Sequence, residues 1–221
     1  MPSLLSLLLV FGLSASPSPS ATTPPGTVAV NHLYVDQTEV QNIHWIEFLY
    51  FQTEGEKDQY LPHENNQWFR EPSLHYQPIT HISQEQAEAY CAWRSRVVFE
   101  TTGLRVRYRL PTPAEWEMIA RAEWEKLSSR KKAKYEKALA DFVHEPHAEP
   151  FPALTTSDAT IRPMQVAHLF HNVSEMTSEE GTAMGANNLV YGGVEQALST
   201  TFTYEGPHPY VGFRCVAEII E

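Results

Sequence analysis

Cysteine is nearly absent from this chain of 221 residues: there are two, Cys91 and Cys215, and none between Ala92 and Arg214. So few thiols leave each one three roles, as nucleophile, metal ligand or half of a disulfide. Positive charge is also scarce. Sixteen Lys and Arg stand against 27 Asp and Glu, a net charge of -11, which argues against nucleic acid or an anionic membrane as the main partner. No GxSxG elbow and no phosphate-cradling glycine loop occurs, so serine-hydrolase and nucleotide-binding readings find no support. Past the N-terminal stretch no Gly/Ser/Pro linker divides the chain, and one domain is expected.

The longest apolar run, Leu4 to Leu13, is too short to span a bilayer. Small residues follow at 14–16, and residues 1–16 read as a signal peptide, although no Lys or Arg precedes the run. Without a cysteine nearby, a lipoprotein anchor is excluded. Residues 17–27, rich in Pro, Ser and Thr, read as a flexible leader. An exported protein, periplasmic or extracellular and not transmembrane, is the expectation.

From Val28 the run VAVNHLYVDQTEV alternates as a strand does, and NIHWIEFLYF places Ile43, Ile46 and Tyr50 on one helical stripe. Residues 53–77 read as a long polar loop. Two helices announce themselves by capping boxes: Ser83 with Gln86, ending at Gly103, and Thr112 with Glu115, where Pro113 takes the first helical position. LRVRYR lies between them as a short strand. The next segment holds five of the six lysines and reads as a solvated helical extension, with a docking arm for an acidic partner through Lys131, Lys132 and Lys134 as the sharper alternative. Around NVSEMTS, NNLVYGG and VGFRCVAE the chain reads as short strands and turns.

Taken in order, EVQNIHWIEFL, PITHISQEQAEAYCAW, YRLPTPAEWEMIAR, HNVSEMTSE, YGG and VGFRCVAE resemble the successive motifs of the formylglycine-generating enzyme, or sulfatase-modifying factor, family. The resemblance covers about residues 28–123 and 166–219, within a domain of 28–221 interrupted by a lysine-rich insertion at about 124–165. It implies an α+β fold similar to C-type lectin-like domains, with two main helices, short strands and much irregular structure.

In that family the cysteine of the AYC helix pairs with that of GFRC, which here implies a Cys91–Cys215 disulfide. An even cysteine count in an exported chain agrees. Closing a loop of more than 100 residues would contribute roughly 4 kcal/mol through loop-closure entropy. Two buried thiols are the alternative. The family's oxidases convert a sulfatase cysteine to formylglycine with copper held by two further cysteines between the GG pair and GFRC. Superposing the GG pairs puts Ala197 and Phe202 near those positions, so copper and its oxidase chemistry are not expected.

Some members bind calcium at the segment that reads HLFHNVSEMTS here. The resemblance then offers the carbonyls of His171 and Val173 and the carboxylate of Glu175, with His168 where an amide oxygen is expected, a departure that weakens a calcium site. His168, His171 and Glu175 also make up the two-imidazole, one-carboxylate set of non-heme iron sites. His144 and His147 read as surface residues of a Pro-rich loop. The leading expectation is a catalytically inactive pseudoenzyme: a binding or scaffold module of the cell envelope for a protein or carbohydrate. The competing one is a metal-dependent oxidoreductase of non-heme iron type on the same fold.

Overall fold

The run from Val28 folds back on itself instead of forming one strand. Thr27–Val30 (β1) and Leu33–Asp36 (β2) pair antiparallel, and Asn31 turns the chain in the left-handed region at φ 54°. Asn is one of the few residues that tolerates that conformation. The structure, a computed structural model, describes residues 23–62, 71–143, 164–187 and 192–220. The signal-peptide reading of 1–16, most of the leader, His144, His147 and the NLVY part of NNLVYGG lie outside those residues.

Two small sheets carry the fold. In the first, Val216–Ile219 (β8) joins β2 on one side and Val106–Arg109 (β3) on the other, giving the antiparallel order β1-β2-β8-β3. In the second, Ser174–Met176 (β4), Thr182–Met184 (β5), Thr201–Thr203 (β6) and Val211–Gly212 (β7) stand in the order β6-β5-β4-β7, with β4 and β7 parallel. This mixed α+β arrangement is the fold class the motifs implied.

Six α-helices occur among the described residues: Asn42–Tyr50 (α1), Glu54–Tyr60 (α2), Gln84–Thr102 (α3), Pro113–Glu125 (α4), Ser129–Val143 (α5) and Val194–Ser199 (α6). Both expected capping boxes form. Ser83 Oγ accepts from the Gln86 N–H at 3.2 Å while Gln86 Oε1 accepts from the Ser83 N–H at 2.8 Å. Thr112 and Glu115 do the same at the start of α4. Gly103 ends α3 at φ 73°, a conformation costly for any residue with a Cβ.

Three sequence expectations need correction. The polar stretch at 53–77 is not all loop: it forms α2 and a short 3-10 turn at Pro72–Leu74. The buried face of α1 is Asn42, Trp45, Phe48 and Leu49, and Tyr50 stands 79% exposed. Trp45 and Phe48 have more apolar area to hide than the Ile43–Ile46–Tyr50 stripe, and area decides. The lysine-rich segment is neither continuous with α4 nor merely solvated. The chain breaks at Lys126–Ser128, and α5 packs Tyr135 and Leu139 into the interior, with Leu139 fully buried.

Two apolar clusters result. One gathers α1, α3 and the C-terminal segment, where Trp45 stacks on Tyr90 at 5.7 Å and both meet Phe213 edge-on. The other joins β1, β2, α4, α5 and α6 around Trp116, Trp124 and Phe170. No described helix is long and apolar enough to cross a membrane.

Candidate functional site

Between the two clusters lies a buried polar centre built from Glu175 on β4 and Arg214, two residues beyond β7. The parallel register sets Glu175 opposite Gly212. A Cβ at Gly212 would come within 2.9 Å of the Val173 side chain and 3.0 Å of the Ile79 carbonyl, so glycine permits the approach. Arg214 Nε donates to Glu175 Oε2 at 2.6 Å, and Nη2 to Oε1 at 2.5 Å, a bidentate pair with each partner 1% exposed. Nη1 donates to the Asp36 carbonyl at 3.1 Å and Nη2 also to the Ala167 carbonyl at 2.8 Å, and Trp116 Nε1 donates to Glu175 Oε2 at 2.8 Å. Burial pushes the Glu175 carboxyl up, while Arg214 and the Trp116 N–H pull against it. A guanidinium satisfied this fully ties three segments together.

Two imidazoles sit in the loop before β4. His168 Nδ1 meets His171 Nε2 at 2.9 Å, and His171 Nδ1 meets the Tyr135 hydroxyl of α5 at 3.4 Å. All three residues are buried. Burial, then the neighbouring His168, holds the His171 pKa well below its ordinary value. His168 and Asn172 both have positive φ, 64° and 83°, so the loop is tightly wound around this pair.

The proposed metal sets do not assemble. Glu175 spends both oxygens on Arg214 and Trp116, and the imidazoles bond to each other. Among the described residues no three His, Cys, Asp or Glu side chains converge so as to hold a metal ion. The joint iron-type set of His168, His171 and Glu175 is therefore corrected to a structural ion pair beside an imidazole pair. A calcium ion on Glu175 with the His171 and Val173 carbonyls would have to displace Arg214.

Cys91 and Cys215 do meet, with their sulfurs 3.2 Å apart and both buried. They stand as contacting thiols, since a disulfide needs about 2.0 Å. Burial and the neighbouring Cys91 push the Cys215 thiol well up, which disfavours the thiolate that a nucleophile needs. Cys215 is bracketed by Asp36: its N–H donates to Asp36 Oδ2 at 2.9 Å and its carbonyl accepts from the Asp36 N–H at 3.0 Å.

Of the three lysines, Lys131 and Lys134 are exposed, while Lys132 lies over the Trp124 ring at 5.0 Å and is half-buried. Lys132 thus holds α5 to α4 and leaves the docking face.

Several polar residues escaped the sequence reading. Asp36, at the end of β2, and Glu39, just beyond it, read as an ordinary polar turn, yet they are 5% and 0% exposed. Asp36 Oδ2 accepts from Arg94 Nη1 at 2.7 Å, and Glu39 Oε1 accepts from Asn172 Nδ2 at 2.8 Å. His208 packs against Phe202 and Tyr210, with His81 close enough to lower its pKa after burial has done so. No local pattern marks Asp36 and Glu39, because their partners are distant in sequence.

Two four-stranded sheets, two long capped helices and a C-terminal strand entered through GFRC define a domain of the formylglycine-generating-enzyme type. The chain belongs to the sulfatase-modifying factor enzyme 1-like domain family, which it matches over residues 8–219. Among solved structures it is similar to CarF, at 16% identity over 86% of this chain and 87% of that one, with a TM-score of 0.52. It is also similar to Treponema denticola variable protein 1, at 12% identity over 83% and 84% of the two chains, with a TM-score of 0.49. The likeness to CarF speaks to the fold alone. No curated protein matches the chain.

The copper site of the family's oxidases does not fit these residues. After Gly192 and Gly193 the chain forms α6, which buries Ala197 in the second cluster, and β6, which carries Phe202. Neither offers a sulfur, and both thiols of the chain are sequestered together elsewhere.

Proposed function

We propose that this domain is a catalytically silent member of its family, exported and stapled by a Cys91–Cys215 bond. It serves as a binding or scaffold module of the cell envelope, for a protein or carbohydrate. The observation that carries the reading is the segment from Gly193 to Thr203: where the oxidases need two soft ligands for Cu(I), this chain seats Ala197 in a core and Phe202 on a strand. The two thiols that remain face each other in the interior, as a staple requires. With the expected site missing, function must rest on surfaces.

The test combines two measurements. Protein recovered from the exported fraction without chelator is analysed for transition metals, and a copper-treated sample is incubated with a Cys-x-Pro-x-Arg peptide. Absence of stoichiometric transition metal and of aldehyde product supports the reading. Aldehyde formation, or stoichiometric iron or copper, overturns it.

A further inference from the structure

A cavity of about 430 Å³ opens between α1, α3 and the segment after β2, away from α6 and β6. Its wall includes Asp36, Glu39, Glu47, Tyr90, Trp93 and Arg94. That volume lies within the range of small-molecule sites and is far larger than a bare ion needs. Three wall residues, Asp36, Glu39 and Trp93, are 5%, 0% and 6% exposed. Each keeps one polar atom, Asp36 Oδ1, Glu39 Oε2 and Trp93 Nε1, with no hydrogen-bond partner among the described residues. Buried polar atoms are seldom left so, and three in one cavity wall call for a common explanation.

Charge supplies the sign of the missing partner. Asp36 faces Arg94 at 2.7 Å and Glu175 faces Arg214 at 2.5 Å, whereas Glu39 makes no ion pair among the described residues and interacts with Arg214 at longer range. Three buried carboxylates therefore meet two guanidiniums. Glu47, exposed on α1, adds a further negative charge to the wall. Tyr90 and Trp93, aromatic residues of the wall, suit an organic ligand better than a hydrated ion. The one orphaned donor, the Trp93 indole N–H, asks for an acceptor in the same ligand.

We infer that this cavity binds a primary ammonium of about amino-acid size with a carbonyl beside it, the ammonium compensating Glu39 and the carbonyl accepting from Trp93. An amino-acid amide and the N-terminus of a peptide share that chemistry. The site stands whether or not the domain is catalytically silent.

Leucinamide is the probe, titrated calorimetrically at fixed ionic strength, with N-acetyl-leucinamide as its uncharged counterpart. The expected result is saturable one-to-one binding of leucinamide alone. Glu39→Gln, which keeps the side chain's shape, weakens it at least about tenfold, as loss of a charged hydrogen bond does. Val97→Trp, which fills the cavity from α3, abolishes it, and circular dichroism of each variant verifies the fold. Tighter binding of Leu-Gly-Gly amide than of leucinamide identifies a peptide terminus, and equal binding a free amine. No saturable binding, equal binding of the acetylated compound, or binding indifferent to Glu39→Gln overturns the inference.

Discussion

Arg214→Met tests the polar centre directly. The substitution keeps an unbranched side chain in the space but removes the charge and every donor. Glu175, 1% exposed, is then left with the Trp116 N–H as its one remaining partner. Breaking a buried pair from one side typically costs about 3–5 kcal/mol, because the surviving charge is stranded. The Asp36 and Ala167 carbonyls lose donors as well, so the upper part of that range is expected. Against a usual domain stability of roughly 5–15 kcal/mol, such a loss lowers the urea midpoint severely. Glu175→Leu combined with Arg214→Met removes both charges and should be milder than Arg214→Met by about 2 kcal/mol or more. Urea unfolding followed by tryptophan fluorescence gives both values, provided the slope is unchanged. A cost below about 1 kcal/mol for Arg214→Met, or a double variant worse than the single, would refute the account of the centre as a fully paired buried ion bridge.

Thiol titration in urea of protein from the exported fraction should find no free thiol before reduction and two after it; two before reduction would remove the staple. Leu139→Ala, at a fully buried position of α5, should cost about 2–5 kcal/mol, and a change under about 0.5 kcal/mol would mean that α5 is not part of the core. Glu115 is held down to about 2 by Arg109 and by the N–H and hydroxyl of Thr112. Its folded pKa is depressed, so its contribution is complete above the ordinary value near 4.5 and is lost as pH falls toward about 2. Because the group is partly exposed and so partly screened by solvent, a contribution on the order of 1 kcal/mol is expected, and Glu115→Gln should flatten that limb of a stability–pH profile.

What the sequence made legible was local. Ser83 with Gln86 and Thr112 with Glu115 reach across three residues, and such contacts are written in adjacent letters. The β1–β2 hairpin was missed because its turn, Asn31–His32, lacks the Asn-Gly signature and the alternation runs through it unbroken. The buried face of α1 was misjudged because large aromatics outweigh a regular aliphatic stripe. The buried charges were least visible of all. Asp36 and Glu39 look like turn residues until Arg94, from 58 positions along the chain, and Asn172, from 133, close over them. Likewise, nothing in HLFHNVSEM reveals that its histidines would bond to each other and its glutamate to an arginine.

The C-terminal motif shows how much of this family's signature serves the fold. Phe213 enters the first aromatic cluster, Arg214 bridges to Glu175, Cys215 meets Cys91, and Val216 joins the second cluster. Successive residues of an extended segment point to opposite sides, so four adjacent letters can serve four different contacts. Asp36 clasps the same segment from β2 through the backbone of Cys215. Each of these contacts is structural, and through the two clusters they adjoin Ala197, which shares the second with Val216, and Phe202, which packs against the first. GFRC therefore has a folding role that is complete without a substrate. A domain with Ala197 and Phe202 in place of cysteines has both cores, the bridge between them and the family's outline. Recognition by these motifs consequently reports on how the chain folds, and what it binds must be sought at sites the motifs do not encode.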